Sequence, residues 1–166
     1  MSRWGYLWKR EVLRALFQPS FYVTVSVLTG ATALNFWKQV QDGVGTSVGL
    51  NVLLFGSLFF WILILLWATV LTLRTFPEET RNRTLELWLS APLKEGELVV
   101  GKFAAVWTLF ILGTLPLVLH APLLRWAEGA SWPLPWNEIG MGLMGVWAIG
   151  GLLLAVGMVV SLLFEM

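Results

Sequence analysis

"NVLLFGSLFFWILILLWATVLTL", residues 51–73, carries no charged residue over 23 positions. A membrane-crossing helix needs about 20 consecutive apolar residues. This run meets that length, and a soluble domain has little use for so long an uncharged segment. The rest of the chain agrees with it. Of 166 residues, 57% are hydrophobic, only 13% are charged and the mean hydropathy is +0.75. Soluble domains carry about 25% charged residues, so the composition reads as an integral membrane protein. There is no cysteine, which removes disulfides and thiolate metal sites. A net charge of +1 gives nucleic acid no electrostatic footprint.

Three further uncharged stretches stand beside the first. They lie between Arg14 and Lys38, between Lys102 and Arg125, and between Glu138 and Glu165. The reading is all-α with four transmembrane helices, at 20–37, 52–73, 103–124 and 139–164, in a single domain over 1–166. Nine basic residues fall before the first stretch or between the second and third: Arg3, Lys9, Arg10, Arg14, Arg74, Arg81, Arg83, Lys94 and Lys102. Only Lys38 and Arg125 fall in the other loops. The positive-inside rule therefore puts the N-terminus and the 74–102 loop in the cytoplasm, with the chain in the cytoplasmic membrane. Trp37, Trp126, Trp132 and Trp136 then form an aromatic belt at the outer boundary.

Residues 3–17 are amphipathic. Trp4, Leu7, Trp8, Val12, Ala15 and Leu16 recur at helical spacing, while Arg3, Arg10 and Arg14 share another face. That pattern predicts an interfacial helix whose basic side chains, Arg10 and Arg14 among them, meet lipid headgroups. Pro19 redirects the chain before the first span. Ala31-Thr32-Ala33 resembles a signal-peptidase site, but the long amphipathic segment ahead of it does not fit a signal peptide.

Between the second and third spans lies "RTFPEETRNRTLELWLSAPLKEGELVVGKF", residues 74–103, with five basic and five acidic residues. Pro77 suits a first helical turn, and Pro92 disfavours helix at Ala91. Between them Leu85, Trp88 and Leu89 form an apolar face, and Glu79, Arg83 and Glu86 lie on another at pairing distance. A short cytoplasmic helix at 77–92 follows. Taken alone it is either a solvated loop helix or a docking helix for a soluble partner. The end of the stretch, "GELVVGKF", spells GxxxxGK. A phosphate-binding loop needs a preceding strand, exposed backbone amides and Ser or Thr where Phe103 stands. None of these is present. Lys102 reads instead as an interface anchor reaching lipid headgroups, and Gly101 with Ala105 as a place for close helix packing.

The same stretch resembles a known family. "FPEETRNRTLELWLSAPLKEGELVVGKF" is similar to the loop between the second and third transmembrane helices of ABC-2 type exporter permeases. It looks closest to the branch containing the gliding-motility and nitrous-oxide-reductase maturation permeases. That family reads E-x-R-x-G-T-L-E-L-L-L-(S/T)-x-P-(L/V)-S-x-x-E-(I/L)-V-x-G-K-F. Glu79, Arg81, Thr84, Leu85, Glu86, Pro92, Glu97, Gly101, Lys102 and Phe103 match it. "REVLRALFQPSFYV" resembles the family's start, R-E-L-R-x-x-F-x-S-P-x-x-Y. The resemblance implies a transporter subunit that pairs with a second permease copy and with a separate ABC ATPase subunit. It makes 77–92 the coupling helix, with Glu78, Glu79, Arg81, Arg83, Thr84, Leu85, Glu86, Trp88 and Leu89 as ATPase-docking residues. It implies that this chain holds no cofactor and is not itself an enzyme.

Three departures qualify the match. Arg83 takes a glycine position, which favours a continuous helix over a sharp turn. Lys94 replaces Ser or Thr, so a capping box with Glu97 is lost and the helix start at 94–98 is expected to fray. Family members usually have six spans, so four spans in 1–166 imply truncation after the fourth. That shortfall keeps open a second reading, a membrane anchor or regulatory subunit that does not transport.

Within the spans, His120 stands near Pro116, Pro122 and Arg125. It is either an intramembrane functional group or an outer-interface residue. One histidine and no cysteine give a metal little to bind. Pro116 and Pro122 are expected to kink the third span. Gly151/Ala155 and Gly157/Ser161 give the fourth span small-residue pairs, for packing within the chain or against a second copy. Trp132-Pro133-Leu134-Pro135-Trp136 reads as a stiff outer loop. The substrate is not written in the spans.

Overall fold

A computed structural model describes residues 3–42, 50–73, 95–127 and 134–163. Among them the chain is 95% helical and contains no strand. The order is α1 (Arg3–Leu16), α2 (Pro19–Asp42), α3 (Leu50–Phe55), α4 (Leu58–Leu73), α5 (Glu95–Thr114), a 3-10 segment (Leu115–Leu119), α6 (His120–Ala127) and α7 (Trp136–Leu163). Two continuous helical stretches are long and apolar enough to cross a membrane: Gly96–Leu123, with a mean hydropathy of 1.9, and Trp136–Ser161, at 2.3. The bent pair α1–α2 makes a third if taken as one span.

The run that opened the sequence is not one helix. It breaks at Gly56-Ser57, and α4 alone has 16 residues. At 1.5 Å per residue that is about 24 Å, short of a hydrocarbon core of about 30 Å. The break is held by polar partners from α2. The Gln39 amide donates to the Leu53 carbonyl at 2.9 Å. In an unbroken helix the Ser57 N–H would take that acceptor. The Ser57 hydroxyl in turn meets Asn35 Oδ1 at 3.1 Å. Glycine and serine are weak helix formers, so an apolar run containing both accepts a break once its carbonyls are satisfied.

The other boundaries also move. The first span was expected at 20–37, yet α2 continues through Lys38 to Asp42. The fourth was expected from 139, yet α7 begins at Trp136 behind Pro135, so Trp136 is helical and not part of a loop. Of the segment 94–98, where fraying was expected, Lys94 lies outside the described residues and Glu95–Leu98 are helical in α5. The third span carries its prolines through a local change of helix type. Pro116 enters the 3-10 segment in its first turn, and Pro122 lies in the first turn of α6, where a missing N–H costs nothing.

Lipid chains are as apolar as leucine, so hydrophobicity alone does not pair helices; close van der Waals packing and interhelical hydrogen bonds do. The central core joins Phe60, Ile64 and Trp67 of α4 with Val106 and Phe110 of α5 and Val146 and Leu154 of α7. The rings pack into glycine notches: Phe110 at Gly150, Trp67 at Gly113, and Phe55 at Gly142. Gly157 fits against Thr72. The buried face of α7 thus runs Val146, Gly150, Leu154, Gly157, Ser161, while Ala155 faces outward. Of the two small-residue pairs read from the sequence, Gly157/Ser161 packs inward, and Gly151/Ala155 splits, with Gly151 beside Trp107. Trp147 Nε1 donates to Thr114 Oγ1 at 3.1 Å, linking α7 to α5 inside the bundle. Met141, Met144, Leu152, Val156 and Val159 cover the outer side of α7, an apolar exterior suited to lipid.

Candidate functional site

The helix that follows the loop motif is also the one that α1 grips. Leu7 and Val12 of α1 are buried, and Val12 clusters with Ala105 and Leu109 of α5. A Cβ on Gly101 would stand 2.8 Å from Leu7 Cδ2 and 3.3 Å from the Trp4 carbonyl. Real side chains do not tolerate the first distance, so the absence of a side chain at 101 is what lets α1 cross so closely. Trp8 Nε1 donates to Thr108 Oγ1 at 2.9 Å and fixes the register. The apolar face of α1 thus lies largely on α5. Trp4, Tyr6, Leu13 and Phe17 remain exposed for the surroundings.

Between α1 and α2 the chain turns by 73° at Phe17-Gln18. A cavity of about 110 Å³ opens beneath this bend, between α1, α2, α4 and α5. Its wall is mixed. Glu11, Arg14 and Lys102 supply charge, Gln18, Ser20 and Thr24 supply polar groups, and Phe21, Leu71, Val106 and Leu109 supply apolar surface. Lys102 is only 2% exposed. This corrects its reading as an anchor reaching out to headgroups: the side chain is enclosed by the helices around the cavity. A buried ammonium is costly unless partnered, and Lys102, Glu11 and Arg14 are each engaged in interactions. Arg10 and Arg14 are exposed.

At the other end of the bundle, Phe36, Leu54, Ala121, Ile139 and Leu143 close the gap between α2, α3, α6 and α7. Trp37, Trp126 and Trp136 are exposed at 53%, 83% and 54%. His120 is not at the rim. It is buried, with its ring edge-on to Phe36 at 5.7 Å between centroids. Its Nδ1 lies 2.9 Å from the Leu117 carbonyl. A carbonyl only accepts, so Nδ1 is the donor in this contact. Nε2 has no hydrogen-bond partner among the described residues, and His120 lines a cavity of about 10 Å³ with Thr32 and Phe60. Such a volume is about that of one water. Sequence reading flagged His120 but gave no means of placing it.

The docking residues Glu78, Glu79, Arg81, Arg83, Thr84, Leu85, Glu86, Trp88 and Leu89, and also Trp132, lie outside the described residues. Among the described residues no group of His, Asp and Glu is placed to hold a metal ion. No family model, curated protein or solved structure matches the chain.

Proposed function

We propose that the chain is the membrane-spanning permease subunit of an ABC-2 type exporter, with four spans formed by α2, α3–α4, α5–α6 and α7. A separate ATPase subunit hydrolyses ATP, a second permease copy completes the pathway, and the N-terminus is cytoplasmic. The observation that supports this best is the seat of α1 on Gly101, Ala105 and Thr108. These residues lie nine to sixteen positions along the chain beyond the 77–92 segment that resembles the coupling helix. A push on that segment would reach α5 and α1 together. Through the buried Phe110–Gly150 and Trp147–Thr114 contacts it would continue to α7. Glu79, Arg81 and Glu86 set the docking polarity, and Leu85, Trp88 and Leu89 supply the apolar contact.

The test is co-purification with a candidate ABC ATPase, followed by its ATPase rate. The intact pair should be retained, and the double charge reversal Arg81→Glu, Glu86→Arg should release it. Retention of the reversed variant at wild-type level would overturn the coupling-helix assignment. A complex that forms but neither stimulates ATP hydrolysis nor moves any substrate would instead identify a membrane anchor.

A further inference from the structure

The small cavity of about 10 Å³ lies where α2 meets α3, α4 and the start of α6, with Thr32, Phe36, Leu54, Phe60, Leu117 and His120 on its wall. Two of these residues are polar, and both are more than nine-tenths buried: Thr32 is 3% exposed and His120 7%. Each has hydrogen-bonding capacity left. The Thr32 hydroxyl shares its one hydrogen between the Leu28 and Thr29 carbonyls, both at 2.9 Å, so its oxygen still has lone pairs to accept. The His120 ring spends Nδ1 on the Leu117 carbonyl, and Nε2 has no partner among the described residues. A buried polar atom left unpaired is costly and rare in folded proteins. The other residues named are apolar, so an ion in the cavity would be desolvated with no counter-charge beside it, which makes the ligand neutral. The volume is about that of one water, and a buried water needs about two to four polar partners. Water also both gives and takes hydrogen bonds, so it serves Nε2 whether or not that nitrogen carries a hydrogen.

We propose that this cavity binds one water molecule between His120 Nε2 and the Thr32 hydroxyl. The water donates one hydrogen to Thr32 Oγ1. It donates the other to Nε2 of a neutral ring, or accepts from Nε2 of a charged one. Thr32 shares a face of α2 with Asn35 and Gln39, the two residues that hold the helix break at Gly56-Ser57. The water extends that polar face by one turn and ties α2 to the start of α6, where the third span changes helix type. An apolar ring at position 120 would displace the water together with Nε2, so the site is read by its hydration and not by stability. It stands independently of any ATPase partner.

The experiment uses the full chain in lipid bilayers with isotope-labelled histidine. His120 is the only histidine, so the ring signals assign themselves. Magic-angle-spinning NMR reads the Nε2 chemical shift and the transfer of magnetisation from water to the ring. The expected result is a hydrogen-bonded Nε2 that receives magnetisation from water. Thr32→Val keeps the side-chain shape and removes the hydroxyl; it should abolish the transfer and move Nε2 to the shift of an unbonded nitrogen. Thr32→Ser should retain both signals. Thr24→Val, the same change on the same helix but away from this cavity, should leave both at wild-type level, with tryptophan emission showing that each variant is folded. An unbonded Nε2 without transfer in the wild type would overturn the site, since the cavity is then dry. A hydrogen-bonded Nε2 without transfer would also overturn it, since the partner is then lipid or protein. Wild-type transfer in Thr32→Val would do the same, because the ring would then reach water by a path that owes nothing to Thr32.

Discussion

Replacing Gly150 by alanine tests the central packing of the bundle with one methyl group. A Cβ there would overlap Cε1 and Cζ of Phe110. Phe110 is fully buried and clustered with Ile64, Trp67 and Val106, so the ring has no free direction in which to swing. Overpacking of this kind costs about 1–3 kcal/mol. Alanine returns about 1 kcal/mol of helix propensity over glycine, so the net loss is about 0–2 kcal/mol. Gly145 is the control on the same helix. A Cβ at Gly145 meets nothing within 4 Å, so Gly145→Ala keeps only the propensity gain. The two variants should therefore differ by about 1–3 kcal/mol although their sequence change is identical. Reversible unfolding by dodecyl sulfate in mixed micelles, followed by tryptophan emission, measures both. Phe110→Leu in the Gly150→Ala background should recover part of the loss, giving a coupling of about 1 kcal/mol. Equal stabilities for the two alanine variants would refute the notch and with it the α5–α7 contact as described.

Other substitutions probe the remaining joints. Thr108→Val strips the acceptor from Trp8 Nε1 and should loosen α1 by about 0.5–1.5 kcal/mol, read as earlier proteolysis of the N-terminal segment. Gln39→Leu leaves the Leu53 carbonyl at the helix break without its donor and should cost about 1–3 kcal/mol in the same unfolding assay. His120→Phe keeps an aromatic edge toward Phe36 and removes the unpartnered Nε2, but it also gives up the Nδ1 bond to the Leu117 carbonyl, which keeps the His120 backbone N–H; stability should change by no more than about 1.5 kcal/mol either way, and a loss above about 3 kcal/mol would mean that Nε2 has a partner in the membrane. The chain has no native cysteine, so single cysteines report topology directly. In intact cells Lys9→Cys should resist a membrane-impermeant maleimide and Asn137→Cys should react.

Helices were legible wherever charges bounded an apolar run, because the cost of burying a charge in lipid sets those boundaries. The helical run that α5 and α6 build and the helix α7 could be located this way. The break at Gly56-Ser57 was not. Its cause lies in Asn35 and Gln39, some fourteen or more positions earlier, and no local propensity reports a distant side chain that satisfies a freed carbonyl. The facing of helices was hidden for a related reason. In α7 nearly every residue is apolar, so periodicity does not separate the buried face from the lipid face. What separates them is size: Gly150 and Gly157 turn inward because Phe110 and Thr72 need the space, while Ala155, small as well, has no ring opposite it. Small residues mark where helices are able to meet; the large residue on the partner decides which of those places is used.

The placement of Lys102 follows the same logic in the polar part of the chain. Read along the sequence, a lysine at the start of a span is an interface anchor, and it reaches for headgroups because nothing local holds it. Gly101 changes that. By admitting Leu7 against its own backbone, it brings α1 across the base of α5, and the helices that meet there enclose the next side chain. The cation is then fixed at the wall of a cavity that also carries Glu11 and Arg14, both supplied by α1. A bulky residue at position 101 should therefore do more than loosen a helix contact. Gly101→Phe should lift α1 and expose Lys102 to water-borne amine reagents. Lys102 labelling unchanged from wild type would show that its enclosure does not depend on α1, and would break the link between the glycine and the cavity.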